Sequence, residues 1–341
     1  MQIKKGTKKM KNIDYTQIKE NDEFHRLKPI VLQELLVKVQ NYLLEYRNPL
    51  SLPYDIKFQI AIQHDHRDEQ EVEVNHNWNS KRIWDEPTHY ALISPISGNT
   101  PGFWNELQQS CKNLKKKYTR AKPYSDGRIK IGASVLDNNM EVWRIFLKLY
   151  SLYEHVLYRF GYGESINARK DILKRATPIA EWIYINLQYI NQAQNLEELE
   201  SLLHKLKNTS VDFNKVSLDF PRISFLQNHL EFNSPNGTFE EVIWQNNINA
   251  YAKMLDSARN NVINEKFLDY KLKRKPIPYF LYDSIHLQDA LEFVDLVFDN
   301  NLDKIYFLKQ YLKDYKEAFG MEKTIQAPSF IKKRGLTYGK R

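Results

Sequence analysis

The chain has 341 residues and a formal net charge of +8. With 42% hydrophobic and 13% aromatic residues it can bury a sizeable core, as one large domain or two modest ones, and this excludes a disordered chain. No run of about 18 apolar residues occurs, so no membrane span is expected, and no apolar stretch follows the lysine-rich N-terminus as a secretory signal would require.

Residues 1–12 hold five lysines (Lys4, Lys5, Lys8, Lys9 and Lys11) and no acid. Residues 331–341 hold Lys332, Lys333, Arg334, Lys340 and Arg341, again with no acid. The body between is therefore near neutral, and the basicity belongs to the two ends. Such ends read first as solvated, frayed termini. They can also attract nucleic acid by counterion release, and binding of that kind would vanish when both are truncated.

Residues 24–46 place Leu27, Ile30, Val31, Leu35, Val39 and Leu43 near helical spacing, which predicts an amphipathic helix ending before Asn48-Pro49. Residues 54–63 alternate, with Ile56, Phe58, Ile60 and Ile62 on one face of a strand. Val72 and Val74 suggest a second strand and Tyr90 to Ser94 a third. Pro101 opens a helix through about Tyr118, since proline suits the first turn. It carries Cys111, the only cysteine. A disulfide within one chain is thus impossible, which fits a reducing, cytoplasmic compartment. Cys111 reads as a helical packing residue rather than a nucleophile.

Residues 128–134 alternate again through Ile129 and Ile131. Helices are expected at about 138–160, 169–191 and 196–207, the last with Asn195 and Glu198 as an N-cap pair. Short strands follow near 214–218 and 221–234, then a Pro235-Asn236-Gly237-Thr238 turn. Further helices are expected at about 239–259, 262–274, 286–299 and 302–319. The order predicts an α+β fold, a mainly antiparallel sheet covered by helices, with an N-terminal helix and a helical C-terminal extension. The expected division is 1–20 (basic tail), 21–260 (main domain), 261–325 (helical region) and 326–341 (basic tail).

Four segments carry residue types suited to chemistry. His64-Asp65-His66-Arg67-Asp68-Glu69 puts two histidines on one face of a strand, a spacing able to hold a metal, although the polar run reads better as an exposed hairpin. In Gly127-Arg128-Ile129-Lys130-Ile131-Gly132 the pleat puts Arg128 and Lys130 together on one face. Two adjacent cations favour an anion such as phosphate or carboxylate, unless they merely form a solvated face. His229 to Ser234 carries Glu231 and Asn233 on a shared face. Trp244 to Tyr251 is rich in amides that either meet a polar ligand or decorate a helix face. Lys271, Lys273, Arg274 and Lys275 precede Pro276 and read as a solvated helix end. Tyr306, Phe307, Tyr311 and Tyr315 have the spacing of packing residues rather than a base-stacking platform. No Walker-type glycine loop and no Gly-x-Ser-x-Gly turn is present.

Taken in order, these segments resemble the amidoligase family, ATP-dependent carboxylate–amine ligases with a glutamine-synthetase-like sheet. The resemblance runs from about Tyr54 to Arg259. It rests on Trp78-x-x-Lys81, Tyr90-x-Leu92-Ile93-Ser94-Pro95, and Arg128 to Gly132 where the family has a His-Ile-His-Ile-Gly strand. It continues through Tyr158-Arg159-Phe160-Gly161-Tyr162-Gly163-Glu164 with Asn167-Ala168-Arg169, then Leu230 to Thr238, and Ile243-Trp244-Gln245-Asn246-Asn247. It implies phosphorylation of a carboxylate by ATP and capture by an amine, with Mg²⁺ on oxygen ligands.

The departures fall on the charged positions the resemblance makes important. Ala61 and Gln63 stand where two glutamates are expected, Ala91 for a third and Ile83 for an aspartate. Arg128 and Lys130 replace the histidine pair, and Asn233 replaces an arginine. Glu231 alone remains as an acid and is the residual catalytic candidate. The resemblance with these losses implies a pseudoenzyme with no catalytic residue, no metal ligand, and no ATP or Mg²⁺ cofactor. Lys81, Arg128, Lys130, Arg169, Glu231, Asn233 and Asn236 would line a cleft for an anionic ligand or a protein partner. The alternatives are an active Mg²⁺- and ATP-dependent ligase using His64, His66, Asp68 or Glu69 as relocated ligands, and nucleic-acid binding through the basic tails. No membrane partner is expected.

Overall fold

A computed structural model of the chain describes residues 39, 44–47, 50, 52, 54–63, 78–82, 89–95, 97–98, 100–117, 122–123, 127–132, 139–162, 176–209, 216–219, 229–260 and 263–312. Both basic tails, the predicted strand at Val72 and Val74, Arg169 and the His64-to-Glu69 segment lie outside the described residues.

The architecture is α+β. The strands are β1 (Asp55–Gln63), β2 (Asn79–Arg82), β3 (His89–Ile93), β4 (Ser97–Gly98), β5 (Lys122–Pro123), β6 (Arg128–Gly132), β7 (Leu218–Asp219) and β8 (His229–Phe232). They form one sheet in the order β2–β3–β1–β6–β8–β7, with β4 and β5 pairing beside the two ends of β1. Each pairing of these strands is antiparallel. The period-two pattern of 54–63 explains the central place of β1. Ile56, Phe58 and Ile60 are fully buried; Ile56 and Phe58 align with Ile131 and Ile129 of β6, which align in turn with Leu230 and Phe232 of β8, and Ile60 aligns with Leu92 of β3.

Helices cover that apolar face. They are α1 (Pro101–Lys117), α2 (Met140–Leu152), α3 (Glu154–Gly161), α4 (Ala180–Ile185), α5 (Leu187–Gln192), α6 (Leu196–Thr209), α7 (Glu241–Arg259), α8 (Glu265–Leu272), α9 (Leu287–Val297) and α10 (Asn301–Tyr311). Phe232 stacks on Tyr251 of α7 with ring centroids 4.2 Å apart and meets Phe146 of α2 edge-on. Phe58 packs against Trp244 of α7. The C-terminal helices share this core, since Phe307 of α10 stacks on Phe160 of α3 at 4.1 Å. Phe307 and Tyr311 are thus packing residues, as their spacing predicts. Cys111 is fully buried in α1. Among the described residues no helix is long and apolar enough to cross a membrane.

Several predicted boundaries move, each for a visible reason. The helix expected through 46 has ended by Leu44. There the backbone is bonded to distant side chains instead, Glu45 N–H to Tyr306 Oη and Arg47 N–H to Gln245 Oε1. The helix expected over 138–160 is two helices, broken at Tyr153 (φ −112°, ψ 16°). The helix expected over 169–191 does not include 176–179. There Thr177 bridges Val216 in parallel, and the helix that follows starts at Ala180, after Pro178. Asn195 does cap α6: its Oδ1 accepts from Glu198 N–H at 2.9 Å, and Glu198 Oε2 accepts from Gln194 N–H. A pairing of this reciprocal kind satisfies two donors that a helix start leaves free.

Candidate functional site: the polar face of the sheet

The face of the sheet opposite the core holds the alternate residues. Lys57 of β1 aligns with Lys130 of β6, which aligns with Glu231 of β8, which aligns with Asp219 of β7. One row of the sheet thus runs from two cations to two acids. Side chains directly opposite on adjacent strands sit about 5 Å apart, so the like-charged Lys57 and Lys130 need a neighbouring acid.

Glu231 supplies it. Lys130 Nζ lies 2.5 Å from Glu231 Oε2, and Arg128 Nη1 lies 3.2 Å from Oε1. Each carboxylate oxygen is therefore taken by a different cation. The Glu231 and Arg128 side chains retain 15% and 17% exposure, whereas Lys130 retains 35%, so water reaches the site from the lysine side. Burial would raise the Glu231 carboxyl, but Lys130 and Arg128 together hold it below the usual carboxylate range. His229, on the same strand face, has its pKa lowered. Burial is the main cause, Asp55 opposes it, and Lys130 and Lys57 add to it.

The predicted site residues divide into those that meet and those that do not. Arg128 and Lys130 share a face as the alternation predicts, and the register of β6 with β8 brings Glu231 to both. Lys81 is in register with Ala91, and Ala91 with Ala61, so Lys81 belongs to β2, three strands from β6. At strand spacings near 4.8 Å this is about 14 Å of sheet. Asn233 is buried, and its Nδ2 donates to Val216 O at 2.9 Å while its backbone N–H donates to Ser217 O. Asn236 is buried as well. Its backbone N–H donates to Gly161 O at 2.6 Å and its Nδ2 to Tyr162 O at 2.9 Å. These contacts tie the Pro-Asn-Gly turn to the end of α3. A Cβ on Gly127 would lie 2.5 Å from Asn236 O, and one on Gly161 2.7 Å from Ser234 O. Both glycines let the turn lie directly on β6 and α3.

The amides of 244–251 are buried rather than exposed. Asn246 Nδ2 donates to Tyr306 O and Gln310 Oε1, Gln310 Nε2 donates to Asn247 Oδ1, and Asn249 Nδ2 donates to Asp303 Oδ1. They join α7 to α10 as a buried polar seam. The basic cluster near 271–275 also differs from a wholly solvated helix end, because Lys271 pairs with Glu292 at 3.0 Å.

Sequence reasoning missed Lys57 and Glu154. The first was legible in the alternation of β1, whose polar positions include it. The second sits inside an apolar run and gave no signal. Glu154 is fully buried. Its Oε1 accepts from Ile179 N–H at 2.9 Å and from Ser217 Oγ, and its Oε2 accepts from Ala180 N–H at 2.8 Å and Tyr282 Oη at 3.1 Å. It thereby caps α4 from another helix. Burial pushes its pKa up to about 7, against the pull of those four donors.

No protein-family model matches this chain, and no curated protein matches it.

Proposed function

We propose that the chain is an amidoligase-like pseudoenzyme. In this reading its glutamine-synthetase-like sheet has exchanged a cation-binding face for one that takes an anionic ligand or an acidic partner. The observation that carries the reading is the double pairing of Glu231 with Arg128 and Lys130. A magnesium site needs several oxygen ligands, and the acid left at the family's positions is already neutralised on both oxygens. A divalent ion about 4 Å from each of the two cations would meet roughly 8 kcal/mol of repulsion per cation at an effective dielectric near 20, against the attraction of one carboxylate. Arginine cannot relieve this by losing its proton.

The cationic end of the row, Lys57 with Arg128 and Lys130, is the part suited to phosphate or carboxylate oxygens. The test is a thermal-shift titration with inorganic pyrophosphate in a chelating buffer. The reading expects a saturable rise in Tm that Lys130→Gln weakens. An unchanged Tm at millimolar pyrophosphate would remove the anion-binding part of the proposal.

A further inference from the structure

Away from the sheet, three side chains with ligating atoms converge where α3 meets the start of α9. His155 lies in the first turn of α3, His286 is the residue capping α9, and Asp289 lies in the first turn of α9. His155 Nε2 is 2.9 Å from Asp289 Oδ2, and the two imidazole rings stand edge-on with centroids 4.8 Å apart. One ligating atom from each of the three lies within 4.8 Å of the others. His155 is buried, whereas His286 and Asp289 are half-buried, so solvent has access from the α9 side.

The surroundings orient the group. His286 Nε2 lies 3.0 Å from the Leu281 carbonyl oxygen. As donor in that bond, the ring keeps a lone pair on Nδ1. A backbone carbonyl on the second ring nitrogen is how metal-ligating histidines are held in one tautomer. The His286 backbone N–H donates to Tyr311 Oη at 2.9 Å, which fixes the start of α9. The nearby cations have other partners: Lys271 is paired with Glu292, and Arg159 donates to the carbonyls of Tyr311 and Asp283.

We propose that His155, His286 and Asp289 form a binding site for a zinc-class divalent metal ion, with the remaining coordination positions taken by water. Two imidazoles and one carboxylate suit zinc, cobalt or nickel, whereas magnesium and calcium prefer all-oxygen sets. With metal–ligand bonds of about 2.0–2.2 Å, tetrahedral ligand atoms lie about 3.3 Å apart. Binding would draw the three atoms in from their present spread of up to 4.8 Å by side-chain rotation. The ion would join α3 to α9, elements 134 residues apart at His155 and Asp289.

The test uses the full chain, stripped with chelator and titrated with Co²⁺ and then Zn²⁺. The expected result is one Co²⁺ per chain with a tetrahedral visible spectrum, displaced by Zn²⁺ and unaffected by millimolar Mg²⁺. His286→Gln and Asp289→Asn should each weaken zinc by more than the 10- to 100-fold that outer-shell changes cost, while a His64→Gln/His66→Gln chain should bind as before. Both variants change half-buried positions, and His155 is left intact to protect folding. If either variant fails to fold, X-ray absorption of the zinc-loaded His64→Gln/His66→Gln chain decides, with two imidazoles and no sulfur expected. The proposal is overturned if the unmodified chain retains no stoichiometric zinc, if binding survives both substitutions, or if the imidazole count differs from two.

Discussion

Lys130 and Glu231 face each other as register partners on neighbouring strands, and Arg128 closes on the same carboxylate from two residues away. An acid that would otherwise be free to hold a cation is committed to the protein's own basic groups. The charge of this face is therefore a built property of the sheet and follows from the pleat of 128–132.

Replacing Glu231 by glutamine should cost about 1–2 kcal/mol. That is less than the 3–5 kcal/mol of a fully buried pair, because Lys130 is partly solvated. The Glu231 carboxyl is depressed when folded because the two cations outweigh burial. Its contribution is thus complete above the ordinary value near 4.5 and is lost as pH falls through the lower folded value. Urea unfolding of both chains should show a stability difference at pH 7 that shrinks below pH 4.5. A constant difference would mean the pairing is not formed in solution.

Gly161→Ala should destabilise by about 3 kcal/mol, because the new Cβ meets backbone oxygen at 2.7 Å and the turn cannot yield as a flexible side chain would. Gly102→Ala, where the nearest contact is 3.6 Å, should be near neutral. Thermal unfolding of the two variants checks the contrast.

The alternating face of β1 and the cation pair on β6 were legible in sequence because a strand's period assigns each residue to a face without knowledge of its partner. Register was not legible, so the meeting of Arg128 and Lys130 with Glu231, and the distance of Lys81, required the structure. The break at Tyr153 carries no proline or glycine and lies within a continuous apolar run, so periodicity extends through it. His155 and His286 were passed over for a different reason. Each is a lone histidine at the start of its own helix, and only the packing of α3 on α9 makes them neighbours.

Glu154 should give a pH dependence of opposite sign to Glu231. Its folded pKa, near 7, lies above the ordinary value of 4.5, so the unfolded chain loses the proton first as pH rises. Stability attributable to Glu154 therefore falls between about pH 4.5 and 7, by something on the order of 3 kcal/mol. Glu154→Gln should lack that slope. It should also be weaker than the parent at pH 5, since its amide N–H group opposes a backbone donor of Ile179 or Ala180. Matching slopes in parent and variant would contradict the assignment.

Lys148 is completely buried, with Nζ 2.7 Å from Glu265 and 2.6 Å from Asp269, and it joins α2 to α8. Lys148→Met should cost about 2 kcal/mol. Glu265 then keeps Arg144 at 3.0 Å and Asp269 keeps the Asn191 amide at 3.4 Å, with part of their hydration. Denaturant midpoints at fixed pH measure this directly.

The proposal that this face binds no Mg²⁺–ATP and is not a ligase site is tested most directly by calorimetric titration of ATP with and without Mg²⁺. A thermal-shift control should accompany it, since a ligand at 100 times its Kd adds about 2.7 kcal/mol of stability. The account predicts no magnesium-dependent heat and no magnesium-dependent rise in Tm. Saturable binding of ATP that requires Mg²⁺ would contradict it and favour the alternative of an active ligase.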